Sequence, residues 1–378
     1  TRPFNPFVSP RHFSDTLLEG LTPELRRYVP LRNDISMKRM QRNPEKFEVL
    51  DLYSVLGRKL GLELKDAESK ARFVETITQS IDRISDNDQL VYGKRTQSLF
   101  SYVAGSLGET KLIKEEDTGE IIHKDSQIVA PDYTVVLENG ERFLVEVKNC
   151  HEEDPSYGLC FESSYINKLE EYADALETDI KIAVYWSRWK LWHLISLDWV
   201  KNQNGELSLL QSAKANEMSS LGDFLIGTTP PLSIRLLTDP NESRTVNDEG
   251  EVEFTIGDVS IRCGEEKITD DKEKDIAIFL IQFGNWPVSN PKPVIENQEL
   301  IYLEMNCEPP EYTDRPFQTL GWMSSMISRQ YDLLTIKGEE VKRLTPDTNP
   351  GNLGVKIPKS HRGDKLPLWR FYQEPNYE

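Results

Sequence analysis

Cysteine and histidine are scarce in this chain. Four cysteines in 378 residues, Cys150, Cys160, Cys263 and Cys307, are too few and too scattered for a disulfide framework. Cys150-His151 followed by Cys160 matches no common zinc-finger spacing, and the five histidines (His12, His123, His151, His193, His361) show no triad or metal-ligand pattern. Long apolar runs are missing too, since nothing approaches the roughly 18 consecutive apolar residues of a membrane span. The opening TRPFNPFVSP lacks the apolar centre of a secretory signal, so a cytoplasmic chain without membrane contact is expected. A P-loop, a dinucleotide fingerprint and a nucleophile elbow are also absent, as are fixed-period repeats and low-complexity tracts.

Positive charge is short as well: 45 Lys and Arg stand against 63 Asp and Glu, a net charge of −18. That balance argues against indiscriminate binding to phosphate polymers, which draws on Lys and Arg to release counterions. The charge is uneven, however. Asp239 to Asp275 is heavily acidic, whereas the first fifty residues carry Arg26, Arg27, Arg32, Lys38, Arg39 and Arg42. A second basic stretch from Lys356 to Arg370 holds Lys359, His361, Arg362 and Lys365. Lys38, Arg39, Arg42, Lys359 and Arg362 are therefore candidate nucleic-acid contacts, with solvated loops as the equal alternative for clusters this short.

A hydrophobic content of 38% suffices for a real core, and the length suits two or three domains. Residues 1–90 read as a Pro-punctuated arm followed by helices over Glu45 to Leu60 and Asp66 to Ile84, with Asp66 as N-cap of the second. Residues 91–200 read as an α/β core. Asp198 to Gly227 looks like a helix-and-loop connector, and residues 201–378 read as a β-rich domain with strands in LSIRLL, EVEFTIG, VSIRC, AIFLIQF and LIYLEM. PFQTLGWMSSMISRQY, from Pro316 to Tyr331, has the pattern of an amphipathic helix. The tryptophans of YWSRWKLWHLISLDW alternate with apolar residues, which predicts core packing rather than base stacking.

The most informative segment runs from Pro131 to Cys150. Two strand-like runs, Tyr133 to Leu137 and Phe143 to Val147, flank the turn signal Asn139-Gly140 and predict a β-hairpin. A three-residue loop Asn139-Gly140-Glu141 would pair Tyr133, Val135 and Leu137 with Val147, Val145 and Phe143, giving one wholly apolar face. A slip by one residue would mix the faces, so burial favours this register. It predicts Asp132 opposite Lys148 and next to Glu146. Two carboxylates and an ammonium then share a face, with a solvated cross-strand salt bridge as the bland alternative.

Pro131-Asp132 followed by Glu146-Val147-Lys148 resembles the active-site motif of the PD-(D/E)XK nuclease superfamily. The predicted flanks fit that superfamily's order of helix, three strands, helix, strand: a helix from Lys94 to Leu107, a strand from Thr110 to Glu116 before a turn at 117–119, the hairpin, a helix from Ser163 to Glu177 and a buried strand from Ile180 to Trp186. The resemblance covers about residues 91–200. It implies a restriction-endonuclease-like core with a mixed central sheet flanked by helices, between a helical N-terminal region and a β-rich C-terminal region.

The resemblance also implies function. Asp132, Glu146 and the Val147 backbone carbonyl would hold Mg²⁺ or Mn²⁺, and Lys148 would stabilise or orient the nucleophile. Many relatives carry a metal-reaching Glu on the first core helix; this chain has Gln97 at the corresponding place, with Glu75 on the preceding helix as a spare. Tyr165 and Lys168 occupy a position on the second core helix where relatives contact phosphate or orient water, and an ordinary helix surface explains them equally well. The implied activity is hydrolysis of DNA phosphodiester bonds in bacterial restriction, anti-phage defence or DNA repair. RNA as substrate, a catalytically silent scaffold, a homo-oligomer and an activating protein partner stay open.

Overall fold

The computed structural model describes residues 37–40, 43–116, 120–124, 128–247, 250, 252–338, 340–358, 360–361 and 363–377. Among the basic candidates, Arg42, Lys359 and Arg362 lie outside these residues, as does the turn expected at 117–119. The chain divides into two compact units. One contains Ile35–Asp223, Ile327–Leu353 and Gln373–Glu378; the other contains Phe224–Met326 and Gly354–Tyr372.

The first unit opens with helices whose limits follow from their caps. A short π turn at Pro44–Glu48 leads into α1 (Val49–Leu60), which Gly61 ends in the left-handed conformation at φ 66°. In α2 (Ala67–Ser85) the Asp66 side chain accepts from the Ser69 N–H, the expected N-cap. Helix α3 (Asp88–Leu107) begins earlier than its apolar spacing suggests, because Asn87 caps it by accepting from the Leu90 N–H.

A five-stranded sheet follows, in the order β1-β2-β3-β5-β6, built from β1 (Thr110–Glu115), β2 (Tyr133–Leu137), β3 (Arg142–Cys150), β5 (Asp179–Trp186) and β6 (Leu191–Ser196). β3 and β5 run parallel and the other neighbours antiparallel, so the sheet is mixed. A parallel pair needs a crossover. Here it passes through the short β4 (Gly158–Cys160) and α4 (Ser163–Ala175). Helix α4 buries Ile166, Leu169 and Ala173 in a cluster with Leu144, Ile182 and Val184 of the sheet. Each such Leu or Ile, once fully buried, contributes about 1.5–3 kcal/mol. Phe100 of α3 packs against Tyr133 and Trp192, with ring centroids 5.9 and 5.7 Å apart. The unit is therefore mixed α/β, with helices flanking a mixed central sheet.

Beyond β6 come α5 (Leu197–Asn202), β7 (Glu206–Ser208), which pairs with β4, and α6 (Leu209–Lys214). Trp186 and Trp192 are buried in the core while Trp189 is exposed at the turn between β5 and β6. His193 on β6 is buried, with Nδ1 2.7 Å from the Ser212 hydroxyl. Burial holds its pKa down to about 3, against about 6.5 in an unfolded chain. The neutral ring thus contributes stability that is present above pH ~6.5 and is lost as pH falls towards 3. Urea unfolding at pH 7 and pH 4.5 is expected to show a smaller stability difference in His193→Gln than in the parent; an unchanged difference would assign the acid sensitivity to other groups.

The second unit contains β8 (Leu225–Thr228), β9 (Leu232–Thr238), β10 (Ile256–Cys263), β11 (Glu266–Lys267), α7 (Asp271–Phe283), β12 (Lys292–Glu296), β13 (Glu299–Cys307) and β14 (Gln318–Trp322). Its larger sheet has the order β11-β10-β9-β13-β12 with every pair antiparallel. Three expectations fail in this region. EVEFTIG and VSIRC are not two strands: Val252 to Thr255 has no regular structure and β10 begins only at Ile256. AIFLIQF is the second half of α7 and not a strand. Asp270 caps that helix by accepting from the Glu273 N–H, and Ile276, Leu280 and Phe283 at helical spacing are buried together with every residue from Ala277 to Ile281. A short run buried on all sides carries no periodicity to tell helix from strand. Pro316 to Tyr331 likewise divides, into β14 and α8 (Met323–Thr335).

Candidate active site

The hairpin of β2 and β3 has a three-residue loop, but at Glu138-Asn139-Gly140. Gly140 sits at φ 91°, its N–H donates to the Leu137 carbonyl at 3.0 Å, and the Leu137 N–H donates to the Glu141 carbonyl at 2.9 Å. The last loop position needs a positive φ, which glycine adopts without a Cβ penalty, so Gly140 takes it. The register therefore shifts by two residues from the expected one. Tyr133 pairs with Val145, and Val135 with Phe143. A shift of two keeps each side chain on its face, so the apolar pairing survives with different partners. Asp132, one step beyond the last pair, comes beside Glu146 and not opposite Lys148.

The trio converges nonetheless. Asp132 and Glu146 are each 5% exposed. Asp132 Oδ2 accepts the Val147 N–H at 2.7 Å, which fastens the end of β2 to β3. Lys148 Nζ donates to Glu146 Oε1 at 2.5 Å; its side chain is 31% exposed and that of Glu146 only 7%. Both flanking helices add a group. From α3, Gln97 Nε2 donates to Asp132 Oδ1 at 2.5 Å. From α4, the Tyr165 hydroxyl donates to Glu146 Oε1 at 2.6 Å and accepts from Lys148 Nζ at 3.0 Å.

The electrostatics follow from this packing. Burial by itself would lower the Lys148 pKa, but the Glu146 carboxylate and the hydrogen bonds to Glu146 and Tyr165 outweigh it and raise the pKa. Burial, reinforced by Glu146, pushes the Tyr165 phenol up to about 12. At neutral pH Lys148 is a fixed cation and Tyr165 a fixed donor. As a cation Lys148 can stabilise negative charge there.

Among the described residues no group of three or more His, Cys, Asp or Glu side chains is arranged to hold a metal ion. The donor set at the trio is two buried carboxylates and one amide. Mg²⁺ keeps several waters and commonly takes only one or two carboxylates from a protein, so this set is chemically sufficient for it. The amide Nε2 now directed at Asp132 would have to turn to present its oxygen, a rotation by which Gln97 exchanges donor for acceptor.

The remaining candidates separate from the site. Lys168 lies on α4, where its carbonyl accepts the Val129 N–H at 3.2 Å, and among the described residues no hydrogen bond or ion pair joins its ammonium to the trio. Glu75 is exposed on α2, accepting from Gln79 at 3.1 Å, and does not reach Asp132. Lys38 is exposed, while Arg39 Nη2 donates to the Tyr102 hydroxyl at 2.6 Å, a packing contact with α3. His151 is exposed with Nδ1 2.8 Å from the Ser187 hydroxyl.

Spacing in the chain gave no sign of one further group. Arg95 of α3 and Lys190, in the turn after β5, both pair with Asp332 of α8, at 2.6 and 2.8 Å. Asp332 lies far along the sequence from both partners, so no local pattern could have joined them.

No family model and no curated protein matches this chain. Among solved structures it is similar to a Holliday junction resolvase from the archaeal hyperthermophile Archaeoglobus fulgidus, at 12% identity over 29% of this chain and 84% of the other, with a TM-score of 0.23.

Proposed function

We propose that this chain is a metal-dependent nuclease of the PD-(D/E)XK type, with a restriction-endonuclease-like core, that hydrolyses DNA phosphodiester bonds. The observation that carries the reading is the convergence of Asp132, Glu146 and Lys148 where β2 meets β3, with Gln97 and Tyr165 reaching them from the two flanking helices. Asp132, Glu146 and the Val147 carbonyl would hold Mg²⁺ or Mn²⁺, with the Gln97 amide oxygen as a further donor. Such an ion supplies a lowered pKa for water and positive charge near the phosphoryl oxygens.

The chain's own residues do the rest. Hydrolysis forms a bond from water oxygen to phosphorus and breaks a phosphorus–oxygen ester bond, which leaves negative charge on the phosphoryl group and the leaving oxygen. Lys148, held cationic by Glu146, faces that charge. Preorganised charge in a half-buried site contributes more than the same charge in water, because no reorganisation is needed as the reaction proceeds. Tyr165 fixes the Lys148 ammonium and the Glu146 carboxylate in one arrangement. The Val147 N–H holds Asp132.

Supercoiled plasmid, single-stranded DNA and RNA, each incubated with Mg²⁺, Mn²⁺ or EDTA, test the reading. Cleavage of DNA with either metal and none with EDTA is expected. Cleavage of RNA alone would move the same site to the RNA-directed alternative, and a folded protein that cuts nothing under any condition would favour the silent scaffold.

A further inference from the structure

Beside Lys148 the first unit has a cleft of about 920 Å³. The N-terminal half of α3 forms one wall. The ends of β3 and β5 form the floor, and the residues after α8, Ile336 and Gly338, close the far side. The volume lies within the roughly 300–1,000 Å³ of pockets that bury a small ligand. Tyr92, Val147, Tyr185 and Ile336 give it apolar and aromatic surface, and Gln97 and Lys148 of the site just described line it as well.

Two features of this cleft go beyond its packing, although Arg95 Nη2 also ties α3 to α8 by donating to Asp332 at 2.6 Å and to Thr335 at 2.8 Å. Arg95 Nε and Asn149 Oδ1 are buried and have no hydrogen-bond partner among the described residues. A buried donor or acceptor left unmade costs free energy, so such groups call for an explanation. In addition, two cations, Arg95 and Lys190, share the single carboxylate of Asp332. Arg95 is 3% exposed, whereas the Lys190 side chain is 39% exposed at the mouth, where His151 and Ser187 also stand. Asp88 at the start of α3 is the opposing charge that lines the cleft.

A ligand that complements this surface has a flat face for a tyrosine ring, a polar edge for Asn149 and Gln97, and an anionic group for Lys190. A nucleotide has all three. We propose that the cleft receives one nucleotide of the substrate strand, turned out of its stack, next to the phosphodiester that Asp132, Glu146 and Lys148 act on. The proposal rests on the nuclease reading and adds its substrate class: nucleic acid in which a nucleotide beside the cut is unpaired. Turning a nucleotide out is least costly where it is mismatched, bulged or single-stranded, and stacking on an aromatic ring tolerates any base.

Gly93 gives the means to test this without touching the trio. It lines the cleft, and a Cβ built there meets nothing within 4 Å, so Gly93→Trp fills the cleft from a helical position that tolerates a side chain. Two readouts are compared in the parent and in Gly93→Trp. One is cleavage with Mg²⁺ of a fully paired duplex and of the same duplex with one bulged nucleotide. The other is the fluorescence of 2-aminopurine at the bulge during binding in EDTA, which needs no turnover. The parent is expected to cut the bulged duplex at least about tenfold faster than the paired one and to change the 2-aminopurine signal on binding. Gly93→Trp is expected to lose both the preference and the signal change while unfolding at the parent's urea midpoint. Equal cutting of both duplexes by the parent, or a parent-like preference and signal in Gly93→Trp, overturns the proposal and leaves the nuclease reading intact. A signal change that Gly93→Trp abolishes, with no cleavage under any metal, keeps the nucleotide pocket and removes the nuclease.

Discussion

Asp132→Asn is expected to lower metal-dependent DNA cleavage by at least about 10³-fold while the protein stays folded, a loss that exceeds what one preorganised contact typically contributes. The choice of Asn follows from the two contacts that Asp132 makes. One oxygen accepts the Val147 N–H at 2.7 Å and the other accepts from Gln97 at 2.5 Å. An asparagine oxygen still satisfies the Val147 N–H, so the buried backbone donor is not orphaned, which would cost about 1–3 kcal/mol. What the variant loses is the carboxylate charge, and a hard cation is held by charged oxygen. Initial rates at saturating Mg²⁺, with urea unfolding as the control, separate the two effects. A parent-like rate would put the activity elsewhere in the chain.

Lys148→Met is expected to split rate from affinity. The ammonium is bound to Glu146 Oε1 at 2.5 Å and to the Tyr165 hydroxyl at 3.0 Å, and its centre stands 4.9 Å from the Tyr165 ring. Removing it leaves Glu146 with the Tyr165 hydroxyl as donor and an uncompensated charge in a site that is largely closed to water. That charge attracts a divalent ion more strongly, so metal affinity is expected to rise several-fold. Cleavage is expected to fall by about 10²–10³-fold, because the charge facing the phosphoryl group is gone. Damage to packing would lower both quantities together. A titration with Mn²⁺ and a rate measurement on the same preparation therefore tell the two cases apart, and a fall in affinity would contradict the role given to Lys148.

The hairpin shows how far sequence reasoning reaches. Alternation of Tyr133, Val135 and Leu137 with polar residues fixes which side chains share a face, and that parity is what brings Asp132 to Glu146. Register along the strands depends on which loop residue takes a positive φ, and Asn139-Gly140 alone is compatible with more than one placement. Gln97 was singled out only because the resemblance puts a metal-reaching acid on the first core helix; its hydrogen bond to Asp132 depends on how α3 lies against the sheet, which no local pattern shows. Tyr165 and Lys168 share a helix face in the sequence, yet only Tyr165 reaches the trio, since the tilt of α4 over the sheet is a tertiary property. The helix in AIFLIQF was lost for the opposite reason: burial on all sides erases the periodicity that would reveal it. Asp332, and with it the far wall of the cleft, is joined to α3 only through the fold.

The reading stands or falls on whether the two carboxylates hold a divalent ion. Electron paramagnetic resonance of Mn²⁺ titrated into the parent protein and into Asp132→Asn and Glu146→Gln measures this without any nucleic acid. One bound Mn²⁺ per chain is expected in the parent at micromolar to millimolar concentration, with binding weakened at least about tenfold in either variant. Mn²⁺ bound equally by all three proteins, or by none of them, would contradict it.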